Sequence, residues 1–165
     1  MQPVTKDVRV DVAIIGSGPA GMSAALILGR ARIHVLVIDA GHPRHEVSDG
    51  VHGFLSQEGI TPAALREISR SQIAAFPSVA FAEDFVDDAQ VTDAADGGEW
   101  PVTLRCRGGA TVRAKALLLA VGVKDIHLDI PNFSQFWGHS IHLCPYCHGW
   151  ESRDQSIGVL GVEEQ

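Results

Sequence analysis

Residues 8–39 read as strand, glycine-rich turn, helix and second strand closed by an acid, an order that few architectures accommodate. Val8 to Ile15 alternates and then runs apolar through Val12, Ala13, Ile14 and Ile15, the pattern of a strand buried on both faces. Gly16-Ser17-Gly18-Pro19-Ala20-Gly21 follows at once. A helix of small residues is then expected from Met22 to Ala31, and after it an apolar strand, His34 to Ile38, that ends in Asp39. This alternation predicts an α/β fold with a mostly parallel sheet.

Each glycine has a mechanical reason. Gly16 permits a tight turn, Gly18 lets the backbone approach a pyrophosphate, and Gly21 lets helix and strand pack closely. The helix N-terminus, opened by Pro19 and Ala20, offers unpaired N–H groups and a partial positive charge to phosphates. Asp39, roughly 20 residues on, is placed to accept hydrogen bonds from ribose hydroxyls, with Ala40 beside it. A carboxylate there repels a phosphate on the same ribose, so FAD or NAD fits this site better than NADP. The competing reading is a glycine-rich turn that binds nothing.

The second feature is Cys144-Pro145-Tyr146-Cys147-His148-Gly149. Two thiols at this spacing make a redox pair, half of a zinc site or, with the following His, a c-type haem attachment signal. Zinc draws support from His139, His142, Cys144, Cys147 and His148, which fall within ten positions. Against it, Cys147 and His148 are adjacent and hard to use together. Haem attachment requires export, and Met1 to Arg9 lacks the apolar core of a signal peptide. An electron-carrying dinucleotide and a dithiol that exchanges electrons with it form one joint hypothesis.

Composition narrows the classes further. The chain has 165 residues, 45% of them hydrophobic, and a formal net charge of −7, enough for one domain with a core and the start of a second. The acidic balance gives no support to nucleic-acid binding, and no apolar run is long enough to span a bilayer. Three cysteines without an export signal point to the cytoplasm, where a close thiol pair is functional rather than a staple. Cys106, alternating with Val102 and Leu104, reads as a small buried hydrophobe.

Along the rest of the chain, Ala40 to Gly59 is irregular and carries His42, Arg44, His45 and His52. Thr61-Pro62 opens a helix with Ala64, Leu65, Ile68, Gln72 and Phe76 near one face. Short strands are expected at Val79–Phe81 and Phe85–Val91, then a polar turn at Asp93–Glu99. Val102–Arg107 and Thr111–Ala120 form a hairpin at Gly108-Gly109. The apolar run Ala116 to Val121 calls for cover on both sides. Asp125 to Asn132 is an extended connector, and Ile157-Gly158-Val159-Leu160-Gly161 begins another buried strand.

Together these segments resemble the thioredoxin reductase-like flavoproteins, the FAD-dependent pyridine nucleotide-disulfide oxidoreductases. The resemblance rests on Gly16 to Gly21, the His52-Gly53-Phe54 loop, Ala120-Val121-Gly122 where the family usually has Ala-Thr-Gly, and the cysteine pair. Within the family, Cys-Pro-Tyr-Cys-His-Gly-Trp-Glu is most similar to the dithiol oxidases of gliotoxin and holomycin biosynthesis. The resemblance implies a Rossmann-like FAD-binding domain over residues 1–124, three-layered, with an antiparallel β-meander. It implies the start of a second nucleotide-type domain over 125–165, in a chain truncated within it. It further implies that Cys147 contacts the flavin, that Cys144 exchanges with the substrate, and that Arg44, His52, Val86, Ala120 and Gly122 join the cofactor site. A small dithiol or disulfide, or a thioredoxin-like protein, is the implied partner, and a homodimer the implied assembly. His148 stands where ordinary thioredoxin reductases carry Asp, and an imidazole there can take a proton from an incoming thiol near neutral pH. The competing role for His148 is a local structural hydrogen bond. Glu163 falls where a second fingerprint would need glycine, which argues against NADP(H) binding and leaves oxygen as an acceptor. A folded but inactive flavoprotein fragment is the rival of another class.

Overall fold

A computed structural model of the chain describes residues 7–92 and 98–161. Its strands are β1 (Val8–Ile15), β2 (Val35–Asp39), β3 (Val79–Glu83), β4 (Val86–Val91), β5 (Val102–Cys106) and β6 (Thr111–Leu119). The helices are α1 (Pro19–Arg30), α2 (Pro62–Ile73), α3 (Phe133–Phe136) and α4 (Pro145–His148). Two compact units emerge: the chain up to Glu46 with Ala63–Asp125, and Val47–Pro62 with the chain from Ile126 onward. Among the described residues no helix is long and apolar enough to cross a membrane.

The first unit holds one six-stranded sheet in the order β3-β2-β1-β6-β5-β4. β1 pairs in parallel with β2 and with β6, and β2 with β3, whereas β4–β5 and β5–β6 are antiparallel. β3 and β4 stand at opposite ends of that order, yet Glu83 and Val86 are three residues apart. Three links reach roughly 11 Å, while five strand spacings in a flat sheet need roughly 24 Å. The β4–β6 meander therefore folds back across one face of the parallel strands.

The packing agrees. Ala13, Leu36, Ile38 and Ala82 of the parallel strands share one core with Val102, Leu104 and Cys106 of the meander. Ile14, Val35 and Val37 share a second core with Met22 and Ala25 of α1 and Ile73 of α2. Neighbours such as Ala13 and Ile14 thus face opposite layers, as the alternation of a strand requires. The layers run helices, parallel strands, meander, in agreement with the expected three-layer α/β fold.

The hairpin closes as expected, with the Gly109 N–H donating to the Cys106 carbonyl at 2.9 Å. Cys106 is a buried free thiol. Burial, with Asp84 and Asp87 nearby, pushes its pKa up to about 11, which makes it inert at neutral pH.

Several expectations need correction. Helix α1 starts at Pro19 rather than Met22, because Gly18 is its N-cap and Pro suits the first helical position. It ends before Arg32, whose φ of +61° breaks the helix. On α2, Leu65 is buried as expected, but Ile68 and Gln72 are exposed and Ile73 is buried instead. Leu117 and Leu118 pack on the two cores, whereas Leu119 and Val121 are each 66% exposed, because nothing among the described residues covers them. The run Ile157–Leu160 forms no strand, and Ile157, Val159 and Leu160 are exposed, with no neighbouring strand among the described residues to pair with. Most of the Asp93–Glu99 turn, and Glu163 with it, lie outside the described residues.

In the second unit, Phe133 is buried against Trp137, with ring centroids 5.7 Å apart, and His127 lies 4.7 Å from Trp137. Paired hydrogen bonds between Val51 and the Gly59–Ile60 backbone close the loop that contains His52.

Leu104 is fully buried where the meander meets the sheet. Leu104→Ala is expected to lower folding stability by about 2–5 kcal/mol, read as a shifted urea midpoint with unchanged slope. A shift under about 0.5 kcal/mol would mean the meander does not close that core.

Candidate functional site

In the first unit the glycine-rich turn sits at the carboxyl end of β1, between β2 and β6. The Gly16 N–H donates to the Ile38 carbonyl and the Ala120 N–H to the Ile15 carbonyl, each at 2.8 Å. Open α/β sheets bind ligands at the carboxyl ends of their strands. Gly16 has φ +103°, and a Cβ there would collide with the Ala120 carbonyl. A Cβ on Gly21 would collide with the Gly16 carbonyl, so Gly21 is where α1 presses onto the turn. Gly18 differs from both. A Cβ there would meet nothing within 4 Å, and no side chain caps the α1 N-terminus. That uncapped end with open space before it is a cradle of the kind that takes a phosphate.

Asp39 ties this corner together. One carboxylate oxygen accepts the Ser17 N–H; the other accepts the Gly41 N–H at 2.7 Å and the Arg66 guanidinium at 3.2 Å. Burial alone would raise its pKa. The Ser17 hydroxyl and N–H, the Gly41 N–H and the Arg66 charge outweigh burial and hold it below the ordinary Asp value. Arg66 also reaches the Ser17 hydroxyl at 3.4 Å, and Ser17 is fully buried. Sequence reasoning passed over both residues. Ser17 lies inside the fingerprint, but no local pattern marks an arginine on α2 as the partner of an acid on β2.

The other first-unit candidates are placed as follows. Pro19 and Ala20 form the exposed first turn of α1, and Ala40 is exposed beside Asp39. Gly122 has φ +66° just beyond β6. Val86 opens β4 opposite Cys106. Arg44 makes a two-pronged pair with Asp125, through Nε at 2.9 Å and Nη2 at 2.5 Å.

The second unit carries the cysteines. Pro145 starts the single turn of α4 with Cys144 at its N-cap, and the Cys147 N–H donates back to the Cys144 carbonyl at 3.2 Å. This turn brings the two Cα atoms to 5.3 Å, and Cys144 and Cys147 are joined as a disulfide. With both sulfurs bonded to each other, neither is a thiolate for zinc in this state. His148 lies next in the chain, half-buried. Its ring stacks on His142 at 4.2 Å and meets the edge of His52 at 5.8 Å. His148 Nε2 is 3.1 Å from the Ser48 hydroxyl. Burial, then the neighbouring His142 and His52, lower its pKa against the opposing pull of Glu151 and Asp49. These surroundings favour the neutral form of His148. His52 is held by Glu58 at 2.8 Å, with Glu151 at 3.6 Å.

The model of the pyridine nucleotide-disulphide oxidoreductases matches residues 10–162. The chain belongs to that family. Among its relatives, the thioredoxin reductase tcpT of Claviceps purpurea is 40% identical over 93% of this chain and 47% of its own length. Of the solved structures, an oxidoreductase from Agrobacterium tumefaciens superposes with a TM-score of 0.80 at 39% identity, covering 88% of this chain and 47% of that one. HlmI superposes with a TM-score of 0.82 at 37% identity, covering 88% and 45%. The chain thus spans under half the length of these family members.

Because the folded pKa of Asp39 is depressed, its contribution to stability is present above the ordinary value near 3.8 and lost as pH falls through the lower folded value. Asp39→Asn is expected to cost about 1–3 kcal/mol at pH 7 and to flatten that acid-side loss in urea titrations. An unchanged acid slope would show that Asp39 is not the clasp on the turn.

Proposed function

We propose that this chain carries the flavin-binding and dithiol elements of a thiol-disulfide oxidoreductase. The observation that supports it most is the closed Cys144–Cys147 pair beside a neutral His148. An incoming thiol loses its proton to His148, and its thiolate attacks the Cys144 sulfur. The Cys144–Cys147 bond breaks, Cys147 leaves as thiolate, and a mixed disulfide forms at Cys144. The substrate's second thiol loses its proton to solvent and attacks the substrate sulfur of that mixed disulfide, whose bond to Cys144 breaks. Oxidised substrate departs and Cys144 is reduced, so two electrons have moved onto the cysteine pair. The reverse sequence reduces a disulfide substrate.

The Gly16–Gly21 turn and the α1 N-terminus would hold the pyrophosphate of FAD, with Gly18 supplying the room. A ribose hydroxyl at Asp39 would share an oxygen with Arg66 or displace it, since both carboxylate oxygens are already engaged. Arg44 would offer a phosphate the donors that Asp125 leaves free. Bound flavin supplies two-electron exchange between the cysteine pair and a terminal partner, oxygen in the oxidase direction or NADP(H) in the reductase direction.

Tyr146, between the two cysteines, and Trp150, three residues after them, are 95% and 73% exposed and give a substrate apolar surface. A small dithiol, or a thioredoxin-like protein, is the substrate these surroundings fit, in a homodimer as the family resemblance implies.

The visible spectrum of the purified chain tests the reading directly. A flavin spectrum that bleaches with added dithiol is expected. Cys147→Ser is expected to retain the spectrum and lose the bleaching, and bleaching at the wild-type rate would remove Cys147 from the electron path. Gly18→Asp is expected to keep folding stability within about 0.5 kcal/mol, because aspartate is at least as good an N-cap as glycine. The same variant should lose the flavin. Retained flavin would sink the cradle, and a colourless wild-type chain would favour the inactive-fragment reading.

A further inference from the structure

Ser48 has one hydroxyl proton and two neighbours that compete for it. The Gly50 carbonyl lies 2.7 Å from the Ser48 oxygen, and His148 Nε2 lies 3.1 Å away. A carbonyl can only accept, so at that distance the hydroxyl must donate to Gly50. Were the proton given to His148 instead, two oxygens with facing lone pairs would stand 2.7 Å apart. The remaining role of the Ser48 oxygen toward His148 is acceptor, and Nε2 must carry the hydrogen.

We propose that Ser48 is a positioning residue that fixes His148 as its Nε2–H tautomer and leaves Nδ1 as the basic nitrogen. This rests on the reading of His148 as the group that takes the thiol proton. The loop bearing Ser48 is held for the task. A Cβ on Gly50 would stand 3.0 Å from His52 Nε2, so the loop lies close against that ring. Asp49 sits 3.6 Å from His139 Nδ1. His142 fixes the plane of the His148 ring by stacking at 9° to it. The titratable groups facing His148 are His142, His52, Glu151 and Asp49. Two imidazolium rings at the stacking distance would repel, so the arrangement holds His148 neutral and in one tautomer together. A base with its proton-bearing nitrogen already bonded presents a single site to the incoming thiol.

Long-range nitrogen–proton NMR on the 15N-labelled chain tests this without flavin or turnover. In the wild type, His148 is expected to show a pyridine-type Nδ1 and a pyrrole-type Nε2 above its pKa. Ser48→Ala should give averaged shifts from a tautomer mixture, and Ser48→Thr, which keeps the hydroxyl, should restore the single form. On the same samples, attack of a small dithiol on the Cys144–Cys147 disulfide near pH 7 should slow about tenfold in Ser48→Ala, a part of what a placed base contributes. Ser48→Thr should recover that rate. A protonated Nδ1 in the wild type, or identical nitrogen shifts in wild type and Ser48→Ala, would overturn the proposal. A single tautomer with no effect of His148→Gln on disulfide attack would leave the positioning intact and overturn the reading of His148 as base.

Discussion

The close approach of three backbone segments at Gly16 is the constraint on which the rest of the first unit depends. Gly16 bonds to β2 on one side, and the next residue of β6, Ala120, bonds to β1 on the other. The Ala120 carbonyl occupies the space of a Gly16 side chain, and the Gly16 carbonyl occupies that of a Gly21 side chain. Neither position admits even a methyl group without moving backbone. The start of α1, the ends of β1 and β2, and the continuation of β6 are thereby locked to within van der Waals contact of one point. The open space at Gly18 follows from that packing. The helix end is pulled tight against the strand behind it and left uncapped in front.

A different principle organises the second unit. Among its described residues buried apolar side chains are few; Phe133 is the large one, supported by Trp137 and His127. Its order comes instead from polar contacts and ring stacking around α4, including Ser48 with Gly50 and His148, His52 with Glu58, and His142 on His148. A neutral imidazole is easier to maintain in such surroundings than in water, because burial and two neighbouring imidazoles each disfavour the added charge. The same contacts that order the loop therefore set the proton affinity of the residue beside the disulfide.

What could be read from the chain in advance was whatever is encoded locally. The strand–turn–helix–strand order, the hairpin at Gly108-Gly109, the Pro62 helix start and buried Cys106 each follow from a few adjacent residues. Ile68 was placed on the α2 face and Ile73 left off it, because which turn meets the sheet is not written locally and both look equally apolar in isolation. Ile157 to Leu160 has the composition of a strand, but pairing is a property of neighbours. Ser17, Arg66 and Ser48 escaped for the same reason. The partners that matter to the two sites are 22 to 100 residues away, and no spacing rule connects them.

Asp39 shows how a familiar motif position can acquire a second duty. An acid at the end of the second strand has a reach set by its length, and Asp is the shorter of the two acids. In this chain the carboxylate is drawn back onto the Ser17 and Gly41 N–H groups, with Arg66 closing the remaining side. It thus stabilises the turn that would receive the phosphates before any ribose arrives. Arg66 makes the longest of these contacts, at 3.2 Å, so the oxygen it bonds is the one a ribose hydroxyl would most readily share. The two backbone donors would remain in place. The acid can then serve the empty and the filled turn alike, because its strongest bonds belong to the turn rather than to the ligand.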